Sequence, residues 1–218
     1  MAARDDVDAP AGTREVILDA AEEFLVHARL RDMTVSALME PIPVSREAFY
    51  KHFSSRYDVV AALLGRFIDE VAGDFGIWLE GHDPVNDVPA MFDAASHSYF
   101  RRAHLLRAVV DAAPLDPDLE AVWRAFIGQF IEATAARIRA DQDRGTANPS
   151  LDAQLAAAAL IHLVERIITQ ELATTTPPSR EAVADVLTHA MLGMLYPTLA
   201  EPTEPSRPGH PQRAGVEG

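Results

Sequence analysis

Cysteine is absent from the 218 residues, so neither a disulfide framework nor a thiolate metal site can form, and the chain suits a reducing cytoplasm. Basic residues are scarce. Nineteen Lys and Arg stand against 33 Asp and Glu, a formal net charge of −14. A uniform field of that sign repels phosphate, which excludes generic polyanion binding and confines any nucleic-acid contact to a local patch. Long apolar runs are missing too. The longest, Leu155 to Val164, falls well short of the roughly 20 residues a membrane-spanning helix needs, and Glu165 and Arg166 follow it directly. No membrane partner is expected. The opening MAARDDVDAPAG is acidic with no apolar stretch and does not read as a signal peptide. There is no G-x-G-x-x-G, P-loop, G-x-S-x-G or H-E-x-x-H, so no catalytic residue and no cofactor is expected. His162 and Glu165, one helical turn apart, read as a hydrogen-bonded or solvated pair and not as metal ligands.

What the chain does have is helical periodicity. Only 11 Gly interrupt it, Ala and Leu are abundant, and no alternating β-branched run competes, which predicts an all-α fold. Thr13 can cap a first helix with Ile17, Ala21, Phe24 and Ala28 on one face. Thr34 opens a short second helix that must stop near Glu40, because a residue before proline avoids the α region. Ser45 caps a third, ending near His52. Ser55-Arg-Tyr-Asp58 is a capping box for a long fourth helix striped by Val60, Leu64, Phe67, Val71, Phe75 and Trp78. After the loop GHDPVND come a fifth helix over about 88–102, a sixth over about 104–113, and a seventh opened by Asp116-Pro117. Ser150 and Ser179 are the expected caps of the last two, over about 151–173 and 180–196. The expected division is a disordered arm over 1–12, a small head over 13–58, a larger body over 59–197, and a proline-rich disordered tail over 198–218.

Two short helices with a tight connection, MEPIPVSREAFYKHF, fit a helix-turn-helix. Arg46 can reach an acceptor pair on guanine, and Tyr50, Lys51 and His52 can donate to phosphate oxygens. Ser45 and Glu47 share that edge, while Thr34 and Arg56 flank it as further phosphate donors. Ala48, Phe49 and Phe53 read as packing positions. The alternative is a plain three-helix bundle, since residues 1–60 carry 7 basic against 11 acidic side chains.

The order of these phrases resembles the DNA-binding domain of the TetR family of transcriptional regulators. Its signature, V-S-x-x-T-x-Y-x-H-F-x-S-K-x-x-L, is met by Val44, Ser45, Tyr50, His52, Phe53 and Ser55, with Arg56 for Lys and Val59 for Leu. The chain departs from it at Ala48, in place of Thr, and at Pro41 and Pro43, where the family has Ala and Gly. Proline locks φ near −65°, so this turn cannot copy a left-handed one. The phrases HLLRAVVDAA, VWRAFIGQFIEAT and ADQDRG are also similar to the branch containing the mycobacterial ethionamide-resistance repressor.

The resemblance implies nine helices, a homodimer through the last two, a palindromic double-stranded operator, and a small hydrophobic ligand between the fifth, seventh and eighth helices. The implied wall is Phe92, Ser96, Tyr99, Phe100, Trp123, Phe126, Ile127, Phe130, Thr134, Ile161, Val164 and Ile168. Polar amides line the eighth helix in that branch, whereas Ile161 and Val164 stand at the matching positions here. The function implied is a ligand-responsive repressor. The alternatives are the same fold with specific DNA binding weakened or lost and, more distantly, a helical enzyme.

Overall fold

Side-chain caps punctuate the chain much as its sequence suggests. The computed structural model describes residues 10–172, 174 and 176–197. Within them run α1 (Pro10–His27), α2 (Val35–Met39), α3 (Arg46–His52), α4 (Arg56–Leu79), α5 (Pro84–Arg101), α6 (Ala103–Ala112), α7 (Pro117–Asp143), α8 (Ala153–Arg166) and α9 (Arg180–Leu195), with no strand among the described residues. The Thr34 hydroxyl accepts from the Ala37 N–H at 3.1 Å, Ser45 from Ala48 at 3.1 Å and Ser179 from Ala182 at 3.2 Å. Ser55 accepts from both Tyr57 and Asp58, and Asp116 from Leu119. Each contact satisfies an N–H that the first helical turn leaves without a backbone partner.

Three starts differ from expectation. α1 is already helical at Pro10, so Thr13 lies inside it and caps nothing. α5 begins at Pro84, capped by Asp83, because proline suits the first helical position; most of GHDPVND is helix instead of loop. α8 is capped by Asp152, whose carboxylate takes the Leu155 N–H at 2.8 Å. Ser150 has turned its hydroxyl to Asn148. α8 also ends early, passing at Ile167–Glu171 into a wider π turn. The arm before residue 10 and the tail after 197 lie outside the described residues.

α4 is the axis of the molecule. All six residues of its expected stripe are buried, from Val60 to Trp78, each contributing about 1.5–3 kcal/mol relative to exposure. α4 packs on α5, α6 and α7; α5 packs on α9, and α7 on α8. α1 lies on both α4 and α6, so head and body share one contiguous core from Ile17 to Tyr196.

The C-terminal end of α4 is held by Arg137 from α7. Its guanidinium donates to the carbonyls of Trp78, Leu79 and Gly81, at and just after the helix end. It also donates to Asp141 at 2.9 Å and lies over the Trp78 ring. Tyr196 donates to the same Asp141 carboxylate and accepts from the Trp78 indole at 3.1 Å, which fastens the end of α9 to this knot. Gly81 must be glycine here, since a Cβ would collide with the Asp87 carboxylate and the Ile77 carbonyl.

Candidate functional site

The exposed edge of α3 carries Arg46, Glu47, Tyr50 and Lys51, with Tyr50 57% exposed. Phe49 faces the opposite way, fully buried, with its ring against Tyr50 and Phe53. His52 is half-buried beside it. Lys51 and Glu47 approach to 3.9 Å across one turn, an exposed pair of little worth that leaves the ammonium able to move to another anion. The Thr34 and Ser45 hydroxyls accept N–H bonds as caps, which leaves each O–H free to donate outward.

Arg56 does not share that edge. Its guanidinium donates to the carbonyls of Leu30, Arg31 and Met33 at 3.2–3.5 Å and to the Tyr57 hydroxyl. It clamps the link between α1 and α2 to the start of α4. The turn between α2 and α3 needs no left-handed residue. Glu40, after the last turn of α2, is right-handed at φ −60°, and Gly145 alone has positive φ among the described residues. Pro41 and Pro43 fit a turn built without glycine.

A second site lies inside the body. Phe67, Val71 and Phe75 of α4, Tyr99 of α5, Phe126, Ile127 and Phe130 of α7, and Ile161, Val164, Glu165 and Ile168 of α8 and its π turn enclose an apolar slot. Its open volume is about 20 Å³, roughly room for one water. Aromatic edges close it: Phe75 meets Phe130 at 4.8 Å, and Phe130 meets Phe126 at 4.9 Å. Burial, and next the charge of Asp74, push the Tyr99 phenol up, so it stays a neutral donor at physiological pH.

Seven of the twelve expected wall residues line this slot: Tyr99, Phe126, Ile127, Phe130, Ile161, Val164 and Ile168. The other five do not. Phe92 packs edge-on behind Phe75, and Phe100 is half-buried against the core. Ser96 bonds the Asp93 carbonyl within its own helix. Thr134 is buried with no partner for its hydroxyl among the described residues. Trp123 packs against Phe126 and lines a neighbouring cleft. The α4 wall was legible only as core, because one helical stripe serves both purposes.

A cleft of about 480 Å³ lies between α6, α7 and α8. Glu165 lines both cleft and slot, and Trp123 lines the cleft. The Trp123 indole donates to one Glu165 oxygen at 3.0 Å, and His162 holds the other at 2.9 Å. Among the described residues, no group of three or more metal-ligating side chains converges and no helix is long and apolar enough to cross a membrane. A larger hollow, about 700 Å³, lies at the end of α4. Arg137 lines it, with its Nε and Nη1 engaged by Asp141 and by the carbonyls at the end of α4.

Residues 90–197 match the family described as transcriptional regulator EthR, C-terminal domain. The HTH-type transcriptional regulator EthR of Mycobacterium tuberculosis is 30% identical over 186 residues, 83% of this chain and 85% of that protein. The chain belongs to the TetR family of transcriptional regulators, in its EthR branch. The EthR of Mycolicibacterium smegmatis is 28% identical across 84% of this chain and 86% of its own length. The solved TetR-family regulator PfmR of Thermus thermophilus shares the fold, with a TM-score of 0.66 and 18% identity over 82% of this chain and 97% of that one. Membership makes the protein a DNA-binding transcriptional regulator of helix-turn-helix type and sets aside the enzyme reading. The EthR match contains every slot residue except the α4 wall of Phe67, Val71 and Phe75.

Proposed function

We propose that this TetR-family protein is a repressor that holds a palindromic operator as a homodimer and releases it when a small, largely hydrophobic molecule enters the slot. One observation carries the coupling. α4 forms a wall of the slot through Phe67, Val71 and Phe75, and at its first residue, Arg56, it grips the chain leading into the helix-turn-helix. A molecule larger than the present opening has to push the slot walls apart. Moving α4 moves the heads and changes the spacing of two recognition helices in a dimer.

In this reading Arg46 contacts a base edge, and Tyr50, Lys51, Thr34 and Ser45 position the backbone, with His52 and Glu47 at the margin. Arg56 acts through the frame instead of on phosphate. The dimer forms through α8 and α9, whose outward faces carry the exposed Leu155, Leu163 and Val186. The protein then works in the cytoplasm, where its operator is. The test is titration of palindromic DNA from the region upstream of its own gene, at two salt concentrations. A specific complex whose affinity falls with salt is expected. Its absence at about micromolar protein would leave a TetR-fold ligand binder without specific DNA binding.

A further inference from the structure

Building on the slot as the effector site, we infer that the effector carries a cationic nitrogen on its apolar body, and that Glu165 is the group that receives it. The slot has 11 lining residues, and nine of them are pure hydrocarbon. The two remaining lining residues, Tyr99 and Glu165, carry the polar groups, and both Glu165 oxygens are turned to Trp123 and His162 of the cleft. Glu165 alone among ionisable groups lines both the slot and the outer cleft. Any molecule passing from one to the other therefore passes a carboxylate, whose side chain is only 26% exposed. Arg166 and Glu120 face the cleft but not the slot, and Glu120 is occupied by Arg124.

The carboxylate's present partners are ones a cation can replace. Trp123 gives a neutral N–H, and His162 is a 59% exposed side chain that water receives readily. An ammonium entering here exchanges these for a charge-assisted contact while its apolar end meets the faces and edges of Phe126 and Phe130. A carboxylate-bearing molecule meets like charge at the same point, and a neutral carbonyl finds only the Tyr99 hydroxyl as a donor inside the slot. The Trp123–Glu165 hydrogen bond thus works as a door that a cation opens and an anion does not.

The test is binding of 4-phenylbutylamine, 4-phenylbutanol and 4-phenylbutanoate to the full-length protein, three probes of one shape and three charges. Calorimetry gives the affinities, and the indole fluorescence of Trp123 reports the door, with Trp123→Phe identifying its share of the signal. The amine is expected to bind about tenfold more tightly than the alcohol, and the acid more weakly than either. Glu165→Gln should bring amine and alcohol within about twofold, the amine losing more than the alcohol, a charge-selective loss that a folding defect would not produce. Trp123→Phe, which frees the carboxylate from its indole partner, should strengthen the amine. An alcohol or acid that binds wild type as tightly as the amine overturns the charge assignment and leaves the slot intact. Failure of all three probes overturns the slot itself, and with it this inference.

Discussion

At the scale of single residues, two arginines decide more than the charge count suggests. Arg137 is nearly sealed from solvent and supplies the donors for three carbonyls and one carboxylate. Arg137→Ala leaves Asp141 buried with only the exposed Arg144 and the Tyr196 hydroxyl as partners. A loss of about 3–5 kcal/mol is expected, the cost of stranding one member of a buried pair. It should be read as a lowered urea midpoint at fixed protein concentration. Arg56 and Lys51 separate in a second experiment. Lys51→Ala should reduce the slope of log affinity against log salt by about 1 while leaving thermal stability alone. Arg56→Ala should leave that slope in place and cost about 1–3 kcal/mol of stability, because its donors go to carbonyls of its own chain. The reverse pattern would return Arg56 to the DNA-facing set. Nothing local distinguishes Arg56 from the basic residue the family signature expects. Its partners lie 23 to 26 residues away, beyond the reach of any periodicity.

At the scale of elements, the two prolines before α3 are a turn and not an interruption. Since no left-handed residue is needed there, Pro43→Gly should gain nothing in geometry and should loosen the unfolded chain. A destabilisation of about 0.4–1 kcal/mol is expected with operator affinity unimproved, measured by urea denaturation and DNA titration together. The seam between α1 and α6 carries a pH dependence. Burial first, then the charges of Arg102 and Arg107, hold His104 below the ordinary histidine range, outweighing Glu23. Glu22 lies 3.8 Å from the imidazole but is also engaged by Arg102. The unfolded chain therefore takes up a proton at His104 that the folded one refuses. Stability should fall as pH drops below about 6.5, and His104→Gln should flatten that fall in a series of unfolding midpoints. Element boundaries were legible wherever one capping residue stood alone, as at Thr34, Ser45 and Ser179. They blurred where two candidates competed. Ser150 and Asp152 can each cap α8, and a turn at Asn148 claims the serine. The π turn left no mark in the sequence, because Ile167–Glu171 reads as ordinary helix.

At the scale of the whole molecule, the proposed effector slot and the proposed DNA-facing edge lie on one helix, α4, and their coupling would obey one constraint. If slot occupation weakens the operator complex by some factor, operator binding must weaken the slot ligand by the same factor. The structure describes the slot closed, with α4 seated against Phe126 and Phe130 through Phe67 and Phe75. A ligand that prises this seat open acts against the α4 position found here, so the coupling should be negative. Its expected size is about 5- to 150-fold, the usual range for coupling between distinct sites. The measurement is ligand affinity by calorimetry with and without saturating operator, set beside operator affinity with and without saturating ligand. Equal factors in both directions are what linkage requires and show that both titrations have reached equilibrium. Phe75→Ala should reduce both factors together, because it removes the wall through which the ligand pushes α4 while leaving Arg46 and Lys51 untouched. Both factors unchanged in Phe75→Ala would mean that the coupling does not run through this wall.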